Sequence, residues 1–181
     1  EEGAERLPEA SQQTFKHELA EGVRWLMRHP LLRPMAAQLH GVDLSPKMLE
    51  RARESGHYDA LFEAELSEFM RTRLSSYEAI VCADTLCYFG GLDEAGQAAF
   101  AALRQGGWFV FTHEALLSSG SQERYRLTHT GRYAHTERYA RETIENAGFE
   151  PAIVSSAWLR TEAGKQVSGY VVAARKAGIL T

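Results

Sequence analysis

The chain has 181 residues, of which 44% are hydrophobic and 24% are charged, and its formal net charge at pH 7 is −4. This length suffices for one domain with a sizeable apolar core, and the composition is typical of a globular protein. Proteins that bind a phosphate backbone normally carry a basic face, so the negative charge and the absence of any Lys/Arg run predict that nucleic acid is not a partner.

Cysteine usage and hydropathy indicate the compartment. Cys82 and Cys87 are too few for a disulfide framework and lie among apolar or small residues, so we expect buried free thiols in a reducing environment. No apolar stretch is long enough to cross a bilayer, and the acidic amino terminus does not have the pattern of a signal peptide. We therefore expect a cytoplasmic protein with no membrane partner, and its oligomeric state stays open.

The chain begins with a segment that differs in kind from the rest. Residues 1–14 are polar, acidic and aperiodic, which is typical of a tail or linker, and residues 15–181 are expected to form a single domain. Apolar residues recur at loose helical spacing over Phe15–Met27, and Pro30 and Pro34 interrupt the chain before the next element.

A short apolar strand beginning at Leu39 ends at Asp43 and is followed at once by a helix start. Ser45 is a suitable N-cap, Pro46 suits the first helical position, and Gly56 is a natural residue to end the helix. An acid at the carboxyl end of a parallel strand binds the ribose hydroxyls in α/β nucleotide folds. The alternative is that Asp43 only caps the helix. Because Ser45 already suits that role, the pattern favours a nucleotide-like ligand.

The remaining elements alternate between strand and helix and end in a hairpin pattern. The sequence predicts an apolar piece over Tyr58–Phe62, a helix over Ser67–Arg73, a core strand over Ala79–Ala83 covered on both faces, a helix over Asp93–Leu103, a strand over Trp108–Thr112, a polar loop or lid over Ser118–Thr130, a helix from Thr136 to Ala147, and antiparallel strands over Ile153–Leu159 and Val167–Ala173. This order predicts an α/β protein with a doubly wound, mostly parallel sheet and a C-terminal antiparallel hairpin strand.

Four segments in this order resemble the class I S-adenosylmethionine-dependent methyltransferases. They are Gly41–Met48, Tyr77–Asp84, Leu103–Phe111 and the terminal hairpin. The chain resembles in particular small bacterial methyltransferases related to forms fused to tetratricopeptide repeats. The resemblance covers Leu39 to Arg175. It implies a Rossmann-like fold, S-adenosylmethionine as the cofactor and transfer of its methyl group to a small-molecule acceptor.

The resemblance also implies which residues contact the nucleoside part of the cofactor. Asp43 would accept hydrogen bonds from the ribose hydroxyls, and Leu44 and Met48 would cover the two faces of the adenine ring. Glu65, at the end of the next strand, would lie near the adenine amino group, although it or its neighbour Glu63 could simply be solvated. The backbone amide of Leu66 would face a ring nitrogen.

The methionine part and the acceptor are assigned to the next two strand ends. By the same resemblance, Ala83 and Asp84 would face the methionine part of the cofactor. Tyr88 and Tyr133 are candidates for binding the acceptor, although Tyr88 could instead pack beneath the following loop. Across the whole site, carboxylates suit these roles because they accept hydrogen bonds from hydroxyl and amino groups, while apolar side chains cover the ring faces.

Two histidines are candidates for acid–base catalysis. His113 follows a core strand on the same sheet edge as Asp84, and His135 precedes a helix at the expected substrate entrance. For each, an ordinary surface or capping histidine is the alternative. A base is required only if the acceptor must lose a proton, since methyl transfer from a sulfonium is a displacement that mainly needs alignment. No histidine and cysteine spacing indicates a metal site.

One departure from the family concerns glycine. The family's first strand ends in a Gly-rich loop, but Gly3 and Gly22 are the only glycines before Gly41. We predict that residues carrying this loop are missing from the chain near Arg28–Leu31. Two other functions therefore stay open, a degenerate non-catalytic domain that binds a protein partner and, less favoured, a nicotinamide-dependent oxidoreductase.

Overall fold

The computed structural model describes residues 38–117, 122–162 and 164–178. The strands are β1 (His40–Asp43), β2 (Ala60–Glu63), β3 (Tyr77–Cys82), β4 (Leu103–Ala115), β5 (Tyr125–Leu127), β6 (Tyr133–His135), β7 (Ile153–Glu162) and β8 (Lys165–Arg175). The helices are α1 (Pro46–Ser55), α2 (Leu66–Arg71), α3 (Asp93–Ala102) and α4 (Glu137–Asn146), with a 3₁₀ turn at Leu86–Tyr88. The predicted tail, the helix over Phe15–Met27 and the glycine loop near Arg28–Leu31 lie outside the described residues.

The strands form two sheets. β1 and β2 pair in parallel, and a six-stranded sheet has the order β5-β6-β4-β8-β7 with β3 also paired to β4. The long strand β4 organises the second sheet, because β3 and β6 both run parallel to it along one edge while β8 runs antiparallel along the other. The carboxyl ends of β3 and β4 therefore point the same way, which is the side where α/β sheets bind ligands.

The α/β prediction is confirmed, whereas the prediction of a mostly parallel sheet is confirmed only in part. Among the described strands, three pairings are parallel and three are antiparallel. β7 and β8 form the expected antiparallel pair, and β8 lies between β4 and β7. The extra antiparallel pairing comes from β5 and β6, which form a short ribbon inside and just after the segment predicted to be a polar loop.

The core lies between this sheet and the helices α3 and α4. Ala95, Ala98, Ala99 and Ala102 are buried along one side of α3, at the spacing that places small residues on a single helical face. They pack with buried aromatic side chains of β4 and with α4. The expectation that both faces of β3 are covered is wrong near its start, where Ala79 is exposed.

The predicted helix boundaries are set by local hydrogen bonds. The Ser45 hydroxyl accepts from the Met48 amide at 3.4 Å, and Gly56 ends α1 with a φ of 65°. Thr136 caps α4 in the same way, with its hydroxyl 3.2 Å from the Tyr139 amide. These caps hold the strand-to-helix turns that carry the candidate site.

Candidate functional site

Asp43 ends β1 and turns the chain into α1. One carboxylate oxygen accepts the Ser45 backbone N–H at 2.8 Å, and the second has no hydrogen-bond partner among the described residues. The helix cap itself is supplied by Ser45. Asp43 thus braces the turn with one oxygen, and within the described part of the chain the other oxygen is available to accept from a ligand.

Two apolar side chains lie exposed on this turn. Leu44 is 68% exposed and Met48 is 47% exposed. Exposing large apolar side chains beside a carboxylate has a free-energy cost that a bound ring would remove. The arrangement suits the predicted adenine contacts, which stay a prediction.

The next turn differs from its prediction. β2 ends at Glu63, two residues before the expected position, and Glu65 is instead the N-cap of α2, which starts at Leu66. Its carboxylate accepts the Glu68 amide N–H at 2.8 Å. Desolvation raises the pKa of Glu65, but hydrogen bonds from the Ser67 and Glu68 amides outweigh this effect and lower it. The carboxylate of Glu65 therefore has a structural partner besides any ligand.

Asp84 follows β3 in an uncommon backbone conformation. Its φ is 53°, in the left-handed region that asparagine and aspartate tolerate better than most residues. The Asp84 amide donates to the Thr112 hydroxyl of β4 at 2.9 Å, and Ala83 before it is half-buried. This turn places the Asp84 carboxylate just beyond the sheet.

Two arginines converge on Asp84 from other elements. Nη1 of Arg160 on β7 lies 3.0 Å from Oδ1 of Asp84, and its Nη2 contacts Glu114 on β4 and Glu162, the latter at 2.9 Å. Nη1 of Arg132 lies 3.3 Å from both carboxylate oxygens of Asp84. We call Asp84, Glu114, Arg132, Arg160 and Glu162 the edge cluster.

The chemistry of the edge cluster keeps Arg160 charged. Burial opposes its charge, but hydrogen bonds to Glu114 and Glu162 outweigh that cost and raise the pKa of Arg160 above its usual range. Arg132 also reaches the hydroxyl of Tyr88 at 3.2 Å and lies 5.5 Å from the centre of its ring. Tyr88, predicted to bind the acceptor, is 61% exposed next to these charges.

The predicted acceptor residue Tyr133 is packed elsewhere. Its ring lies 5.9 Å from that of Tyr125 across the β5–β6 ribbon, and both rings crowd Gly90. A side chain at Gly90 would come within 3.1 Å of Tyr125 and 3.3 Å of Tyr133. The structure therefore places Tyr133 in a packed aromatic layer and Tyr88 beside the edge cluster.

The two candidate catalytic histidines lie together in the interior. Both His113 and His135 are buried, and their ring centres are 5.6 Å apart. Nδ1 of His113 is 3.1 Å from the Glu114 carbonyl oxygen and Nε2 of His135 is 2.9 Å from that of Gly90, so these nitrogens carry the protons. The other ring nitrogen of each is buried without a hydrogen-bond partner in the described structure.

Burial sets the protonation of this histidine pair. Desolvation lowers the pKa of His113 to about 4 and also lowers the pKa of His135. Both rings are therefore neutral at pH 7, and neither occupies the surface position expected for a group at a substrate entrance. A catalytic role for either stays a prediction.

Sequence reasoning missed Arg132, Arg160 and Glu114. The predicted β4 strand ended at Thr112, before Glu114, and the predicted first strand of the hairpin ended at Leu159. A register shift between Trp158 and Arg160 in β7 changes the alternation of the strand there. The one available signal was that Arg160 directly follows the strand predicted to end at Leu159.

Other sequence predictions can be compared directly. Cys82 and Cys87 are free and buried as expected, and burial raises the pKa of Cys82 to about 12 and that of Cys87 to about 11. Within the described ranges, no group of three or more His, Cys, Asp and Glu side chains is arranged to hold a metal ion. None of the described helices combines the length and apolar character needed to span a membrane.

Comparison with known proteins gives the following matches. A family model described as a methyltransferase domain matches residues 22–111. Among solved structures, a S-adenosylmethionine-dependent methyltransferase from Methanosarcina mazei is 18% identical with a TM-score of 0.60, covering 77% of this chain and 82% of its own. One from Thermotoga maritima, described as a possible histamine N-methyltransferase, is 14% identical with a TM-score of 0.62, covering 92% and 91%.

A third structure holds ligands. It is the 1,6-didemethyltoxoflavin-N1-methyltransferase of Burkholderia thailandensis with bound 1,6-didemethyltoxoflavin and S-adenosylhomocysteine, which is 16% identical with a TM-score of 0.57 and covers 97% of this chain and 93% of its own. At these identities the likeness shows the fold. No curated protein sequence matches the chain. The expected relation to tetratricopeptide-fused methyltransferases stays a prediction.

Proposed function

The chain belongs to the class I S-adenosylmethionine-dependent methyltransferases, and we propose that it moves the cofactor's methyl group to a small-molecule acceptor at the carboxyl edge of its strands. The observation that carries this proposal is the turn after β1, where one carboxylate oxygen of Asp43 has no hydrogen-bond partner among the described residues and lies beside the exposed Leu44 and Met48. A carboxylate flanked by apolar surface is the chemistry that a nucleoside requires.

The residues present fit the nucleoside half of the cofactor. We assign the ribose hydroxyls to Asp43 and the adenine faces to Leu44 and Met48. The Leu66 amide at the start of α2 is the candidate donor to the adenine ring. Glu65 would have to accept the adenine amino group with the oxygen that does not cap α2.

We assign the acceptor to the region beyond the carboxyl ends of β3 and β4. We assign the methionine part of the cofactor to Ala83 and Asp84, and the acceptor to the space between Tyr88 and the β5–β6 ribbon that carries Tyr133. S-adenosylmethionine supplies a methyl group already activated by a sulfonium. The protein's contribution is to align the acceptor and exclude water, for which held side chains such as Asp84 are suited.

The low basicity of the buried histidine pair affects which acceptors this site can methylate. A general base works best when its pKa is near the working pH, and His113 with a pKa of about 4 is a weak base at pH 7. His113 and His135 stay candidate proton acceptors. Their burial favours an acceptor atom that is nucleophilic without losing a proton first. The 1,6-didemethyltoxoflavin-N1-methyltransferase, which was solved with a small molecule bound, supports a small-molecule acceptor.

Turnover with a panel of small molecules tests the proposal. Full-length protein is incubated with S-adenosylmethionine and pooled metabolites, and S-adenosylhomocysteine is quantified by mass spectrometry. We expect product that depends on one pool and is lost in Asp43→Ala. The matched control is Asp59→Asn, which changes an acid that accepts from the Leu39 amide at the opposite end of the same strand pair. Absence of both cofactor binding and turnover would sink the proposal.

A further inference from the structure

The guanidinium of Arg160 contacts carboxylates outside its own strand as well as one within it. It lies on β7, yet its guanidinium contacts Asp84 after β3 and Glu114 on β4 as well as its near neighbour Glu162. Its side chain is 17% exposed, and Nε is buried without a hydrogen-bond partner in the described structure. Removing a guanidinium from water this far is costly unless its partners are well placed.

The backbone explains how the side chain reaches the ligand edge. The pairing of β7 with β8 shifts register between Trp158 and Arg160. Such an irregularity adds a residue to one strand and turns the next side chain toward a different face. The C-terminal hairpin thereby sends one long cation to the point where β3 and β4 end.

The carboxylate that Arg160 reaches is held from several sides. Asp84 adopts a left-handed conformation, which is strained for a residue with a side chain, by about 1 kcal/mol or more. Its amide is bound by Thr112 and its carboxylate by Arg160 and Arg132. A strained turn that its surroundings hold so firmly is a feature typical of ligand sites.

A purely stabilising ion pair looks different in this same sheet. Arg104 at the start of β4 pairs with Glu78 at the start of β3, and the two side chains are 56% and 74% exposed. That pair joins the same two strands with the same chemistry at the opposite edge, but both side chains are exposed. Arg104 contacts one carboxylate there, and its Nε donates to the Ser75 carbonyl oxygen at 3.3 Å. The burial and convergence at Arg160 thus exceed what joining these strands requires.

We propose that Arg160 is a positioning residue, which acts through Asp84 to hold the cofactor-facing turn after β3 in its binding conformation. This inference rests on the proposed function, because it assumes that the turn at Ala83 and Asp84 meets the cofactor. A guanidinium suits the role because its planar fork can bond two carboxylates at once, while a lysine ammonium is a single point charge. Arg160 is not expected to touch the reacting atoms.

A double-mutant cycle measured on cofactor binding tests the inference. The dissociation constant of S-adenosylhomocysteine is determined by calorimetry for the wild type, Arg160→Gln, Asp84→Asn and the double variant. Losing a charge-assisted hydrogen bond typically weakens an interaction by roughly tenfold or more, so we expect each single variant to bind about tenfold more weakly. Because Arg160 acts through Asp84, the double variant should bind no more than about twofold more weakly than Asp84→Asn.

Controls separate positioning from mere stabilisation. Arg104→Gln removes the matched exposed arginine and should leave the dissociation constant unchanged. Melting temperatures of all variants are measured in parallel, and Arg160→Lys, which keeps one charge, serves if the glutamine variant does not fold. We expect Arg160→Lys to bind S-adenosylhomocysteine more tightly than Arg160→Gln and more weakly than the wild type. If only the lysine variant folds, it should still bind more weakly than the wild type.

The outcomes are distinguishable. A lower melting temperature with an unchanged dissociation constant would make Arg160 structural only and overturn the inference while leaving the proposed function intact. Additive losses in the double variant would also overturn it. If the wild type binds no S-adenosylhomocysteine, the proposed function itself fails, and this inference fails with it.

Discussion

The two edges of the β3–β4 pair use charged residues in different ways. At the carboxyl edge, Arg132 and Arg160 converge on Asp84 from separate elements and are largely shielded from water. At the amino edge, Arg104 and Glu78 form one exposed pair, and the buried Lys176 donates to the carbonyl oxygens of Phe100 and Leu103 at 2.7 and 2.8 Å.

From this difference we infer that the charged residues at the amino edge stabilise the fold and that those at the carboxyl edge serve ligand binding. Lys176 binds backbone carbonyls where α3 ends and β4 begins, so its contacts are complete without a ligand. The carboxyl edge instead gathers side chains on a strained turn, and some buried polar atoms near it have no hydrogen-bond partner among the residues that the structure describes. Charged side chains that bind the backbone at the ends of helices and strands indicate a structural role. Charged side chains that converge just beyond the strand ends indicate a ligand site.

The largest expected effect is on stability and lies at the amino edge. Lys176→Met removes the side-chain donor from one buried and one partly buried carbonyl group, so we expect a loss of about 3 kcal/mol in the free energy of unfolding. Urea denaturation measures this loss. The dissociation constant of S-adenosylhomocysteine should not change, and a folded variant that binds it tenfold more weakly would break the proposed separation of the two edges.

The next effect is the pH dependence of the interior beneath the carboxyl edge. The folded-state pKa of His113 is lowered to about 4, while that of an unfolded histidine is near 6.5. Above pH 6.5 His113 is neutral in both the folded and the unfolded state, and the folded protein has its full stability. As the pH falls toward 4 the unfolded state binds a proton first, so the free energy of unfolding decreases. From pH 7 to pH 5 we expect a loss of about 2 kcal/mol from this residue.

Variants identify the source of that pH dependence. The urea concentration at the midpoint of unfolding should differ much less between pH 7 and pH 5 in His113→Phe than in the wild type. His57 is exposed on the loop after α1, and His57→Gln should keep the wild-type pH dependence. An unchanged difference in His113→Phe would show that His113 is not the group that titrates.

A smaller effect is expected for the ribose carboxylate. Asp43→Asn keeps an oxygen for the Ser45 amide and removes the charge that we propose accepts from the ribose hydroxyls, so S-adenosylhomocysteine should bind roughly tenfold more weakly, or about 1.4 kcal/mol. Calorimetry of this variant beside Asp59→Asn measures the change. Equal affinity in wild type and Asp43→Asn would remove the ribose assignment.

The smallest effect is at the exposed ion pair. Arg104→Gln should lower the free energy of unfolding by less than about 1 kcal/mol, because exposed pairs gain little over water. Urea denaturation in low and high salt checks this, since the contribution should shrink further with screening. A loss as large as that of Lys176→Met would mean that exposure does not distinguish the two edges.

Local patterns predicted the turn at Asp43 well. Ser45, Pro46 and Gly56 act within a few residues of one another, so their roles in α1 follow from backbone chemistry alone. Most of the succession of helices and strands after β3 followed from the pattern of apolar residues along the chain. The two short strands β5 and β6 did not, because a strand of three residues is too short to give a periodic signal.

The edge cluster could not be predicted because it depends on register and long-range contacts. The position of Arg160 is set by an irregularity in β7, and no single-sequence pattern locates such a shift. The burial of His113 is decided by neighbours from β6 and β8 that lie far away in the chain, namely His135 and Tyr170. Glu65 was misplaced because an acid at a strand end and an acid at a helix cap look alike in sequence.

A structure of the full-length protein bound to S-adenosylhomocysteine tests the central claim most directly. We expect the ribose hydroxyls within hydrogen-bond distance of the Asp43 carboxylate, the adenine between Leu44 and Met48, and the homocysteine part at Ala83 and Asp84. A ligand bound elsewhere, or an Asp43 carboxylate with no contact to the ribose, would contradict it.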